Sequence, residues 1–500
     1  MRRGSGGFAP RCGRAAGPWR GRGESARMNR SALIAGLAAT GGLATLPPPA
    51  RAGRRPDVVL SAEESSWEVR PGLISRTRSY GGMVPGKLLR MREGERVLVE
   101  LRNRTREAQT ISWHGLVVPD TVDGLRTPAV APGASRLYEF TATPAGTRLY
   151  HSVQGGGMFT GLCGPLIVDA RDERGNYDRE EVLLLHEFDP QIPTRGSMMD
   201  ERPPGSPALS APAMGMDGMN SMGTMSGMGD MGGLLMYDAT YAAYAINGKA
   251  LGAGEPLRVK RGERVRLRII NASATITHRL ALPGHRFLVT HLDGNAVPSP
   301  RSVDAVELGP GERVDALVTM ETPGIWILGS TVQEARSNGL GIVVAYAGER
   351  GEPQWREAAR EPFRYTDFGS AAAAGAHVEG VYDLVLRQSP EGHNAWSING
   401  RRYPRTLPIY VRQGKTFLLR FSNLSMMEHP MHVLGNGFEL AMVDGAPTSG
   451  IRKDTVVVRP MMGRVDVLFH ADNPDGGAYL LMCHNWQHME GGMACAVEYV

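Results

Sequence analysis

The sequence predicts an all-β chain of three tandem sandwich or barrel domains, and three observations carry that expectation. Stretches such as KLLRMREGERVLVELRN, from Lys87, alternate apolar and polar residues with the period of two that a half-buried strand requires. The 64 glycines and 34 prolines among 500 residues favour short strands and turns. The pattern also repeats. YAINGKALGAGEPLRVKRGERVRLRIINAS, from Tyr244, resembles both EVRPGLISRTRSYGGMVPGKLLRMREGERVLVELRNRT, from Glu68, and AWSINGRRYPRTLPIYVRQGKTFLLRFSNLS, from Ala395.

Residues 1–52 read as a leader with an export signal. After Met28 come Arg30, the apolar run SALIAGLAATGGLATL, helix-breaking prolines and Ala50-Arg51-Ala52, which suits a small-residue cleavage site. The leader holds nine arginines against one glutamate, a surplus larger than the net +5 of the whole chain. The basic balance therefore belongs to the leader, and nothing supports nucleic-acid binding. No other apolar run is long enough to predict a membrane span. The expected location is periplasmic or secreted.

The first domain is expected over residues 53–172 and the second over 173–349, with a methionine-rich insertion at 214–236. Residues 350–378, charged and then rich in alanine and glycine, read as a linker, and the third domain follows over 379–500. No long amphipathic helix interrupts the strands. The repeat extends to the domain ends, where HSVQGGGMFTGLCGPLIV, from His151, aligns with MCHNWQHMEGGMACAVEYV, from Met482. Upstream partners are SWHG, from Ser112, and HVLG, from His432.

Four cysteines are too few for a disulfide scaffold. Cys12 lies in the leader and Cys483 sits among metal-ligand types. Cys163 and Cys495 could pair in an oxidising compartment or remain two buried thiols.

The third domain carries the sharpest chemistry. Cys483, His488 and Met493 stand within one loop, and His429 in EHPMHVLGNGF supplies a second imidazole. A thiolate, two imidazoles and a thioether are the ligand set of a blue-copper electron-transfer centre, because soft sulfur stabilises Cu(I).

On these residues the chain resembles the multicopper oxidases, which include laccases and bacterial copper-resistance oxidases. The resemblance covers nearly the whole mature chain. It implies three cupredoxin-like Greek-key β-barrel domains, a type 1 copper in the last, and a three-copper cluster bound by four His-X-His pairs. Every pair is broken in this sequence: Ser112-Trp113-His114, His151-Ser152-Val153, His432-Val433-Leu434 and Met482-Cys483-His484. By the family pattern His114, His151 and His484 are the three ligands of one type 3 copper. The other type 3 copper would need Val153, Leu434 and Met482, none of which replaces imidazole. The type 2 position keeps His432 nearby but has Ser112 for its other ligand.

Three neutral imidazoles make a mononuclear copper or zinc site with an open position. Because Cys483 and His484 are adjacent, electrons on a blue copper would have a short covalent path to that second metal, an arrangement similar in logic to copper nitrite reductases. Asp120 and Asp123 follow His114 and could orient a water or cap a turn. Met214, Met216, Met219, Met222, Met225, Met228 and Met231, interleaved with glycine, serine and aspartate, form a stretch too polar for a core strand. Such thioethers can enclose Cu(I), and similar insertions occur in copper-resistance oxidases. The expected cofactor is copper, and the expected partners are copper ions and a small-molecule or protein electron donor. A copper-dependent oxidoreductase, a copper-sequestering or electron-transfer cupredoxin without turnover, and nitrite-reductase-like one-electron chemistry all fit these residues, whereas four-electron dioxygen reduction does not.

Overall fold

The structure is a computed structural model, and its described residues are 54–154, 156–172, 175–191, 239–357, 361–371, 377–392 and 394–500. The leader and the seven methionines from Met214 to Met231 lie outside the described residues. Three pairs of β-sheets follow one another along the chain, as the all-β expectation requires. The first pair sets the four-stranded sheet of Val58–Arg70, Leu73–Tyr80, Arg96–Asn103 and Ser135–Thr141 against that of Leu89–Arg92, Ser112–His114, Gly146–His151 and Cys163–Asp169. Leu60, Val99 and Phe140 from one sheet and Met91, Trp113 and Leu166 from the other share one buried core.

The sequence repeat is a repeat of topology. In each pair the opening strand lies parallel to a later one: Val58 is in register with Val99, Arg179 with Val265, and Gly380 with Phe417. A short strand also lies parallel to the last strand of its unit, with Leu89 opposite Leu166, Leu257 opposite Val344 and Ile409 opposite Val497. Parallel neighbours in otherwise antiparallel sheets need long crossovers, which is how these Greek-key sandwiches are wound. Turns in the later units are set by local chemistry: Asn247-Gly248 and Asn399-Gly400 have φ of 52° and 77°, and 52° and 75°, the left-handed pair of a tight hairpin turn.

Alternation decides which face is buried. Along Thr416–Asn423 every second residue, Phe417, Leu419, Phe421 and Asn423, is buried. In the stretch read as a linker, Phe363 and Phe368 are buried and pack into the core shared by the second and third sheet pairs. Cys163, Cys483 and Cys495 are all buried and none is in a disulfide, so Cys163 and Cys495 do not pair. Burial pushes the Cys163 and Cys495 thiols up to about 12, the range of inert core thiols. Among the described residues no helix is long and apolar enough to cross a membrane.

Candidate metal centres

Two neighbouring strands of the last sheet, His429–Val433 and Ala478–Cys483, carry His429, His432 and Cys483, with Met431 opposite Cys483 and His432 opposite Met482. His488 arrives from the short helix Trp486–Glu490, whose first turn is capped by the Asn485 side chain accepting from the Gln487 and His488 N–H groups at 3.1 and 3.4 Å. Met493 follows, its N–H donating to the His488 carbonyl and its carbonyl accepting from the Cys483 N–H, each at 3.0 Å. These two bonds close the loop on itself.

The geometry gathers the predicted blue-copper set. His429 Nδ1 and His488 Nδ1 lie 3.0 Å apart, and Cys483 Sγ is 3.7 and 3.6 Å from them. Met493 is fully buried in the large core cluster that also holds Cys483, and its carbonyl accepts from the Cys483 N–H. Ser425 Oγ is 2.8 Å from His429 Nε2 and accepts the Nε2–H, which leaves the Nδ1 lone pair facing the thiol. Trp396 covers both rings, its centroid 4.0 Å from His488 and 5.2 Å from His429. Burial holds His429 down to about 3 and, with His429 beside it, holds His488 well below the usual range. Neutral imidazoles next to a thiol in a dry pocket are what copper of this type requires, so the residues fit the ion.

The second set forms between units. Antiparallel pairing places Ser112 opposite His151 in the first sheet pair, and His484 reaches them from the third. His114 Nδ1 and His484 Nε2 each lie 3.4 Å from His151 Nε2. All three rings are buried, and their nitrogens fall within one 4.8 Å cluster. Burial holds His151 down to about 4 and His114 and His484 well below the usual range. Each neutral imidazole keeps one ring N–H and offers one lone pair, so the three rings can present ligand nitrogens to a cation. His432 does not join that set. It stacks on His114 with centroids 3.8 Å apart, sends its Nδ1–H to the Asp454 carbonyl at 2.8 Å, and leaves a buried Nε2 with no hydrogen-bond partner.

Three models of one family, described as multicopper oxidase, match residues 62–173, 221–347 and 381–500. The multicopper oxidase MmcO of Mycobacterium tuberculosis is 32% identical over 463 residues, covering 90% of this chain and 88% of that protein. The chain belongs to the multicopper oxidase family. Copper resistance protein A of Pseudomonas syringae pv. tomato is 30% identical over 321 residues, 58% of this chain and 52% of that protein. The crystal structure of Fet3p, a multicopper oxidase that functions in iron import, superposes with a TM-score of 0.70 over 88% of this chain and 90% of that one, at 17% identity. A multicopper oxidase from Pseudomonas thermotolerans gives 0.66 over 88% and 98%, at 23% identity. These likenesses carry the cupredoxin fold, and the family binds copper.

The residues at the broken His-X-His positions pack without imidazole. Leu434 and Met482 are buried with Tyr479, Leu480 and Ala494 in a small apolar cluster, and Val153 is half-buried. Ser112 donates its hydroxyl proton to Asp123 at 2.8 Å, and the same carboxylate accepts from the Trp113 N–H at 2.7 Å. Asp123 ends the single helical turn Asp120–Asp123, and burial pushes its pKa up to about 7. Asp120 accepts from Arg126 and from the Ala478 N–H, so both acids brace local structure.

Sequence reasoning passed over Asp454 and Arg313. Arg313 donates to both Asp454 oxygens, at 2.7 and 2.5 Å, and Asp454 Oδ1 is 3.0 Å from His114 Nε2. Burial opposes both charges, yet each outweighs it for the other: Asp454 is held well below the carboxylate range and Arg313 is raised. Nothing local marks Asp454 in the sequence, since Asp304 also precedes a short strand and pairs instead with exposed Arg286.

Proposed function

We propose that this multicopper oxidase is an exported copper-dependent oxidoreductase with a type 1 site at His429, Cys483, His488 and Met493 and a mononuclear site at His114, His151 and His484. Copper held there supplies one-electron redox chemistry. The chain's own contribution is geometric and electrostatic. Cys483 and His484 link the two sets through consecutive residues, burial keeps all the imidazoles neutral, and the second set leaves a position for water or a small substrate. The observation that carries the reading is that three histidines from two sheet pairs converge while the residues at the missing half-cluster, Leu434 and Met482, pack as hydrocarbon.

The domain boundaries, the linker and the export signal enter this proposal from the sequence alone. The names of the relatives point to copper handling or resistance as the setting. Ala239, where the described chain resumes after the methionine-rich stretch, donates its N–H to the Gln487 side chain at 3.1 Å, one residue from His488. A sequestering protein without turnover is the competing reading, and the loss of the half-cluster favours it to the extent that activity requires dioxygen. Metal counting with absorption and paramagnetic resonance tests the assignment. Two coppers, one type 1 and one with three nitrogen ligands, are expected, and three or four coppers with a coupled pair would overturn it.

A further inference from the structure

We infer that Asp454 is a positioning residue that fixes which nitrogen of His114 faces the three-histidine cluster. The inference rests on the mononuclear reading above. An ionised carboxylate only accepts hydrogen bonds, so the contact of 3.0 Å between Asp454 Oδ1 and His114 Nε2 requires the proton on Nε2. His114 Nδ1, which lies 3.4 Å from His151 Nε2, is then left with its lone pair directed at the cluster.

The proton pattern around the pair is self-consistent. Thr455 Oγ1 donates to Asp454 Oδ1 at 2.9 Å and so can accept from His114 Nε2 at 3.0 Å and His432 Nδ1 at 3.1 Å. The support also joins the three sheet pairs. Arg313, from the second, grips Asp454, from the third, and sends its Nε–H to the Thr147 carbonyl in the first at 3.1 Å. Backbone packing closes the remaining side: a Cβ on Gly311, which has φ +85°, would sit 2.8 Å from His114 Cε1 and 3.1 Å from His484 Cδ2. That ring has little room to flip.

His114, His432 and Asp454 also lie close enough to suggest a metal site of their own. The guanidinium decides against it. Both Asp454 oxygens already take Arg313 N–H groups, and a further cation would sit beside a full positive charge in a dry interior. Asp454 therefore acts through His114, as the outer carboxylate of a carboxylate–histidine–metal relay does.

The test uses the full chain with Zn(II) and Cu(II) as probes. In metal-free protein, nitrogen-15 resonances should show His114 as the Nε2–H tautomer. Asp454→Asn should mix the tautomers and weaken metal binding at this site by about 10–100-fold in a chelator competition. Thr455→Val keeps the Asp454–Arg313 pair and should shift both readouts the same way by less, so it decides the matter if Asp454→Asn does not fold. An Nδ1–H tautomer in the parent chain, or tautomer and affinity unchanged in a folded variant, overturns the inference. If the parent chain binds no second metal, the mononuclear reading fails while the tautomer still decides the role of Asp454.

Discussion

Cys483 and His484 are consecutive in the chain and face different sites: Cys483 Sγ lies 3.6 Å from His488 Nδ1, while His484 Nε2 lies 3.4 Å from His151 Nε2. Alternation at the end of a strand sends successive side chains to opposite sides, so one peptide faces two side-chain clusters. A thiolate bound to Cu(II) absorbs strongly. The copper-loaded, oxidised protein should therefore be blue or green and Cys483→Ser colourless, with the absorption spectrum as the check. Copper-containing but colourless parent protein would dispose of the type 1 assignment.

Electron counting gives the second expectation. Reduction of dioxygen to water takes four electrons, and two coppers store two. Turnover with phenols and dioxygen should be at or near background, measured with an oxygen electrode. Brisk oxygen consumption yielding water would mean that a larger cluster assembles in spite of Leu434 and Met482.

Much of this was readable from residue order. The three-fold repeat, the all-β class and the Cys483, His488 and Met493 loop depend on short-range spacing, which a sequence displays directly, whereas His429, 54 positions from Cys483, entered by ligand type. The gathering of His114, His151 and His484 came from resemblance, since no spacing rule joins residues 333 positions apart, as His151 and His484 are. What stayed hidden was the support. Asp454 reaches His114 across 340 positions, and Trp396 covers His488 from a strand distant in sequence. Such contacts are set by how whole sheets pack, and a lone aspartate or tryptophan carries no local trace of them. The pairing of Cys163 with Cys495 was left open for the same reason, and their burial in different sheet pairs keeps them apart as free thiols.

Acid should destabilise the metal-free protein. Burial lowers His151 from 6.5 to about 4 and His429 from 6.5 to about 3. Below pH 6.5 the unfolded chain binds protons that the folded chain refuses, so the contribution is fully present above that pH and is lost as pH falls through 4 and 3. The contributions across that window are on the order of 3 kcal/mol for His151 and 5 kcal/mol for His429. Urea midpoints at pH 7, 5 and 4 should fall in that order, less steeply in His151→Gln. A flat profile would show that these rings are open to solvent.

The methionine-rich stretch should act independently of the blue site. Deleting residues 214–236 should reduce the number of Cu(I) ions bound, counted with a Cu(I)-specific chelator, while the Cys483 absorption band stays unchanged. The two features differ in ligand type and lie far apart in sequence. Equal Cu(I) binding with and without the stretch would leave it a plain connecting segment.

The three-histidine set can be tested by removing its members one at a time. Replacing His114, His151 or His484 with alanine should release one equivalent of metal, because two imidazoles hold copper or zinc far more weakly than three. Each loss also weakens a bridge between the first and third sheet pairs. A ligand that binds only the folded chain stabilises it by mass action, so the melting temperature should fall in metal-loaded protein and change much less in metal-free protein. His432→Ala should release less metal, since its Nδ1 is committed to the Asp454 carbonyl at 2.8 Å and its ring stacks on His114 without entering the cluster. Metal content unchanged in all three alanine variants would leave a protein with the type 1 copper alone, and His484 would then serve structural packing rather than metal binding.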